Sequence, residues 1–251
     1  MSGHSKWASI KHKKAATDAK KGQLYTKIIK EITSAARQGG GNPDTNAALR
    51  TAIAKAKEAN MPSDNVKNAI KRGTGELPGV TYETVIYEGY GPSGVAIMVE
   101  ALTDNKNRTT AELRNIFSKK SGNLGGAGSV AWMFSKKGYI LVDKGQLKEE
   151  ELMGLILEAG AEDMESSDGN YEITTAVQDL ESVKKALSEK GVNPQVADLT
   201  MIPSSTIKIT AVDIAKQILG LIEALEEHED VQHVYSNFDI PDEILEQSSV
   251  S

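Results

Sequence analysis

A chain of 251 residues, 39% apolar and 25% charged, is long enough for more than one hydrophobic core and has the make-up of a globular protein. It contains no cysteine, which excludes disulfides, thiolate nucleophiles and sulfur-based zinc sites and leaves histidine and carboxylates as the strong metal ligands. The formal net charge of -6 conceals a partition: residues 1–72 carry 15 lysines and arginines against 5 acids, residues 73–137 are close to neutral, and residues 138–251 carry 7 against 24.

The chain starts with a cationic run, HSKWASIKHKKAATDAKK, residues 4–21, which has six lysines against the single acid Asp18; its poor apolar pattern reads as a segment ordered mainly by its partner, with a flexible solubilising tail as the alternative. No apolar run approaches the roughly 18 residues needed to cross a bilayer, and no signal-peptide apolar region follows the basic start, so a cytoplasmic, membrane-free protein is expected. QLYTKIIKEITSAARQ then places Leu24, Ile28, Ile29, Ile32, Ala35 and Ala36 on one helical face with Lys27, Lys30 and Arg37 elsewhere, ended by Gly39, Gly40 and Gly41. Asp44 is the expected cap of a second helix with Ala48, Leu49, Ala52, Ile53 and Ala56 inside. Ser63 is the expected cap of a third, with Val66, Ala69 and Ile70 inside and Gly73 as its left-handed end. GTGELPGV, residues 73–80, has the glycine and proline density of a linker.

Beyond the linker, strands ETVIYEGY and VAIMVEALTD are joined by GPSG and followed by the helix NRTTAELRNIFSKKSG and a predicted strand, SVAWMF. From Gly138, GYILVD, KEEELMGLILEAG, AEDMESSDGNYEITTA with a turn at residues 167–170, LESVKKALSEKG and VADLTMIP give the β-α-β-β-α-β order of a ferredoxin-like unit. The helix IAKQILGLIEALEEHED and strand VQHVYSNF that remain cannot make a domain alone. The expected fold is therefore α+β with three domains: a basic three-helix domain (1–77), a mixed α+β middle domain (78–135 plus 204–245), and an acidic ferredoxin-like domain (136–203) inserted into it.

Motifs of catalysis fail on inspection. GYGPSG, residues 89–94, matches the dinucleotide glycine pattern, but a strand follows it where the pyrophosphate needs a helix N-terminus, so its glycines read as a tight strand connection. His228 and His233 are one residue too far apart for two imidazoles on one helical face to hold zinc. Walker A, G-x-S-x-G and calcium-loop patterns are absent. A non-enzyme without cofactor, metal or small-molecule substrate is expected.

Two groups carry a binding signal. Lys6, Lys11, Lys13, Lys14, Lys20, Lys21 and Lys27, with His12 and the aromatic Trp7, suit phosphate neutralisation and base stacking. Asn105, Lys106, Asn107 and Arg108 in TDNKNRT, with Asn123, Gly125 and Gly126 in GNLGGAGS, flank the middle-domain helix. There a glycine-rich backbone can bring its amides close to a phosphate, although turn and cap duty suits the same residues.

GHSKWASIKHKKAATDAKKG, YEGYGPSGVAIMVEALTDNKNRT and GNLGGAGSVAWMFSKKG together resemble the YebC/PmpR family, in order and over nearly the whole chain. The resemblance implies a three-domain α+β protein without known enzymatic activity. Bacterial members are called probable transcriptional regulators that bind DNA and have also been linked to ribosomes stalled on proline-rich stretches; mitochondrial relatives are translational activators of cytochrome c oxidase subunit I. Residues and resemblance together lead us to expect a nucleic-acid-binding regulator of gene expression. Ribosomal RNA of the large subunit is its first expected partner, in assistance to elongation, and DNA, in transcription regulation, is the alternative. Oligomeric state is left open.

Overall fold

The computed structural model describes residues 18–167 and 169–249. Three helices come first: α1 (Asp18–Gly39), α2 (Ala47–Glu58) and α3 (Ser63–Thr74). Ile28, Ile32 and Ala36 of α1 close a small core with Leu49, Ala52 and Ala56 of α2 and Ala69 of α3. Both shorter helices pack mainly on α1.

The caps differ from those expected. Asn46, not Asp44, starts α2: its Oδ1 accepts from Leu49 N at 3.1 Å while its Nδ2 donates to Ala35 O and Gly40 O at the end of α1. A carboxylate could accept but not donate, so only an amide can tie the two helices together. Pro62 precedes α3, and Ser63 makes no capping bond. The left-handed residue that ends α3 is Gly75 (φ 86°). Gly73 lies inside the helix, where a Cβ would come within 2.5 Å of Thr33 O and 2.6 Å of Ala36 Cβ; its glycine lets α3 approach α1.

The middle region pairs β1 (Glu83–Tyr90) antiparallel with β2 (Ala96–Thr103). GYGPSG is the tight connection between them, closed by Gly91 N donating to Val95 O at 2.8 Å. After α4 (Lys106–Lys119), the short β3 (Asn123–Leu124) joins the far edge of β1. The chain then leaves and returns at residue 207 to add β8 (Ile207–Lys208), α7 (Val212–Glu226), β9 (Val231–Ser236), β10 (Phe238–Asp239) and α8 (Asp242–Ser249). β9 pairs with β2, giving the sheet order β3-β1-β2-β9, while β8 and β10 form a parallel pair. Leu113 and Phe117 of α4 and Ile218, Ile222 and Leu225 of α7 bury one face of this sheet.

The intervening residues hold β4 (Phe134–Asp143), α5 (Glu149–Glu158), β5 (Ala161–Ser166), β6 (Asn170–Thr175), α6 (Leu180–Glu189) and β7 (Val196–Pro203). Their antiparallel sheet runs β5-β6-β4-β7, the ferredoxin-like order, over a core of Ile140, Leu152, Ile156, Ile173, Val183 and Leu187. Phe134 is paired with Pro203, so the two ends of this insert lie side by side. By compactness the chain parts into Trp132–Thr206 and a second unit made of residues 18–131 with 207–249.

SVAWMF is not a strand. Val130 is buried, Ala131–Met133 is a single 3-10 turn, and the strand starts at Phe134. The amides of Val130 and Ala131 are taken by the Glu88 carboxylate instead of a neighbouring strand.

Candidate nucleic-acid interface

Asp230, between α7 and β9, has no exposed surface. Its Oδ1 accepts from Lys30 Nζ of α1 at 2.5 Å, and its Oδ2 accepts from Arg108 Nη2 at 2.9 Å and Thr109 Oγ1 at 2.7 Å, both on α4. Its backbone carbonyl accepts from Leu102 N at 2.7 Å. Thr103 Oγ1 accepts from Asn105 N at 2.9 Å and lies 2.8 Å from Thr109 Oγ1. Each hydroxyl has one proton, so the polar chain runs from Asn105 N–H through Thr103 and Thr109 to the carboxylate. Burial alone would raise the Asp230 carboxyl; the bonds from Lys30, Thr109 and Arg108 outweigh it and hold the group well below the usual carboxylate range. Lys27 Nζ donates to Glu226 O at 2.6 Å and Lys30 Nζ to Glu229 O at 3.1 Å. Two lysines one turn apart on α1 thus meet carbonyls at the C-terminal end of α7, where cations are favoured.

His228 Nδ1 accepts from Asp230 N at 3.1 Å, so its Nε2 carries the proton and donates to Glu112 at 2.9 Å. Ligand atoms of Glu112, His228 and Asp230 lie within 4.8 Å of one another. Lys30 and Arg108 already supply the positive charge there, and they would repel a divalent ion, so this donor set does not suit a metal.

A second buried carboxylate organises the glycine-rich loop. Glu88 Oε1 accepts from Gly128 N at 2.6 Å, and Oε2 accepts from Val130 N and Ala131 N, both at 2.7 Å. Gly125 N donates to Glu88 O and Gly122 N to Phe117 O, each at 2.8 Å. Burial by itself would raise the Glu88 carboxyl; the three amide bonds prevail and lower it. The amides expected to approach a phosphate are therefore turned inward, and the anion they surround is the chain's own. Gly128 (φ 81°) makes the left-handed bend this requires. Gly126, Ala127 and Gly128 remain exposed at the tip, and a Cβ at Gly126 would meet nothing within 4 Å.

Lys6, Trp7, Lys11, His12, Lys13 and Lys14 lie outside the described residues, as does the side chain of Lys20. Lys21 is exposed near the start of α1, whereas Lys27 is turned toward α7. Asn105 caps α4 by accepting from Arg108 N at 3.1 Å, and Arg108 also pairs with Asp104 at 2.9 Å. Lys106 and Asn107 are exposed in the first turn of α4, and exposed Asn123 borders the loop. Further exposed cations stand on the helical region at Arg50, Lys57, Lys71 and Arg72. Sequence reasoning missed Lys30, Glu88, Thr103, Thr109 and Asp230. Lys30 was expected away from the apolar face of α1, yet it is buried and bonded to Asp230.

A family model described as TACO1/YebC protein N-terminal domain matches residues 5–76, and one described as TACO1/YebC second and third domain matches residues 82–238. The chain belongs to the TACO1/YebC family. A TACO1/YebC relative from Dictyoglomus turgidum, named probable transcriptional regulatory protein, is 56% identical over 99% of this chain and 100% of its own length. One of the same name from Syntrophobacter fumaroxidans is 52% identical over 98% and 99%. The crystal structure of a conserved hypothetical protein from Aquifex aeolicus superposes with a TM-score of 0.82 at 50% identity, covering 95% of this chain and 98% of that one. The fold described above is thus shared with that solved structure.

Proposed function

We propose that this TACO1/YebC protein is a non-enzymatic, nucleic-acid-binding regulator of gene expression, working in the cytoplasm, whose first target is folded RNA of the large ribosomal subunit and whose action is to assist elongation at proline-rich stretches. The observation that carries the nucleic-acid part is the polarity of charge: 15 cations against 5 acids in residues 1–72, opposed by 7 against 24 in residues 138–251. A stretch with that excess of cations attracts a polyanion. The regulatory names of its relatives agree with this reading, and among the described residues no helix is long and apolar enough to cross a membrane.

The preference for RNA rests on the helical region. α2 and α3 are joined by a short turn, as in a helix-turn-helix, but each packs mainly on α1. The first turn of α3 also carries the acid Asp64, where a recognition helix would approach a base edge. The alternative, a DNA-binding transcriptional regulator, is favoured by the name the relatives carry. The nucleic-acid reading is tested by replacing Lys11, Lys13 and Lys14 together with alanine and measuring RNA binding against salt. Three lost phosphate contacts should reduce the slope of log K on log salt by about 2 to 3. An unchanged slope removes the cationic run from the interface.

A further inference from the structure

Glu88 has a geometry that ordinary strand alternation does not call for. It lies on β1 with 6% of its surface exposed, and it spends both carboxylate oxygens on three consecutive-region amides of the loop that follows β3. A solvated glutamate on a sheet face has no such bonds to satisfy. Beside these, Gly125 N donates to Glu88 O at 2.8 Å and Ser129 N to Gly126 O at 3.3 Å; Gly125, Gly126 and Gly128 offer no side chain to pack, and a Cβ at Gly126 or Gly128 would meet nothing within 4 Å. Tyr90 Oη adds one more tie, donating to Ser129 O at 2.9 Å.

We propose that Glu88 is a positioning residue: its carboxylate fills a nest of backbone amides and fixes the shape in which the Gly126–Gly128 tip is presented to folded RNA. This rests on the nucleic-acid reading above and assigns the loop a different part in it. Contact is made by the bare tip, through close approach, while the inward amides serve its shape. A glycine-rich segment free in solution loses more conformational freedom on docking than one already fixed, so a loop ordered in advance binds more tightly for the same contacts.

Glu88→Gln is the sharpest probe because it preserves size but leaves one acceptor oxygen. Whichever way the amide turns, an NH2 group faces Gly128 N–H or the pair Val130 N–H and Ala131 N–H, donor against donor. In the full chain, hydrogen exchange of these three amides is followed by NMR beside the affinity for purified large ribosomal subunits. The wild type should protect all three. Glu88→Gln should lose protection at one side of the nest or both and bind subunits about tenfold more weakly. Glu88→Asp, with both oxygens and the charge but one methylene less, serves as a second probe if Gln does not fold, and protection and affinity should fall together in it. Unprotected amides in the wild type, or loss of protection with wild-type affinity in either variant, would overturn the proposal. If the wild type itself binds no subunits, the ribosomal target fails. The same comparison is then read on whichever RNA or DNA the wild type does bind, and the role of Glu88 stands or falls on it.

Discussion

Asp230 receives Lys30, Arg108 and Thr109 in a place water does not reach, so removing the carboxylate strands a buried ammonium. Asp230→Ala should destabilise the protein by about 3 kcal/mol, the cost of breaking one side of a buried pair, as read by urea unfolding at neutral pH. The pH dependence has a definite sign. A carboxyl depressed in the folded state contributes its full stability above its unfolded value, about pH 4, and loses it as acid protonates the folded form. Glu88 acts in the same direction. The unfolding midpoint should therefore drop as pH falls below about 4, and drop less steeply in Asp230→Asn. An Asp230→Asn profile parallel to wild type would show that the carboxylate is not what titrates. Neither acid was legible in the sequence. The partners of Asp230 lie up to 200 residues away, and Glu88 in ETVIYEGY has the look of any solvent-facing strand position.

At the level of elements, apolar spacing located the helices because Ile28, Ile32 and Ala36 recur on one face whatever they pack against. Their ends were less legible, since caps depend on neighbours: Asn46 was chosen over Asp44 by two carbonyls of α1, and Gly73 over an ordinary residue by the closeness of Thr33 and Ala36. SVAWMF read as a strand because buried Val130 and Phe134 imitate a core-facing run, yet the amides of Val130 and Ala131 are held by Glu88. Gly73→Ala and Gly126→Ala make a clean pair. The first forces a methyl into the α1–α3 contact and should cost about 2 kcal/mol, as overpacking does. The second adds a methyl in open space and should leave thermal stability nearly unchanged. Equal melting temperatures for the two variants would contradict the helix packing described here.

Over the whole molecule, the ferredoxin-like order followed from the β-α-β-β-α-β succession, and the return of the chain to the middle sheet from the helix and strand that lacked partners. The insert itself begins and ends beside the Phe134–Pro203 pair, and its core shares no buried residue with the core built by α4, α7 and β9. Joining Ala131 to Ile207 with a short flexible linker should leave the remainder cooperatively folded. Truncation after Thr206 should not, because it removes α7 and β9 from the middle core. Circular dichroism melts of the two proteins check this, and cooperative unfolding of both at similar temperatures would contradict the insertion.

Residues 1–72 carry 15 cations against 5 acids, a charge that attracts RNA and duplex DNA alike. Weak retention of DNA at low salt decides nothing, since any cationic segment does as much. The direct measurement is competition at near-physiological salt between purified large ribosomal subunits and duplex DNA, with random and selected sequences both present. Co-sedimentation with subunits is expected, displaced by random duplex only at about a hundredfold excess or more, with no selected duplex that stands out. A preference of about a thousandfold for one duplex sequence over competitor DNA, with no co-sedimentation, would contradict it.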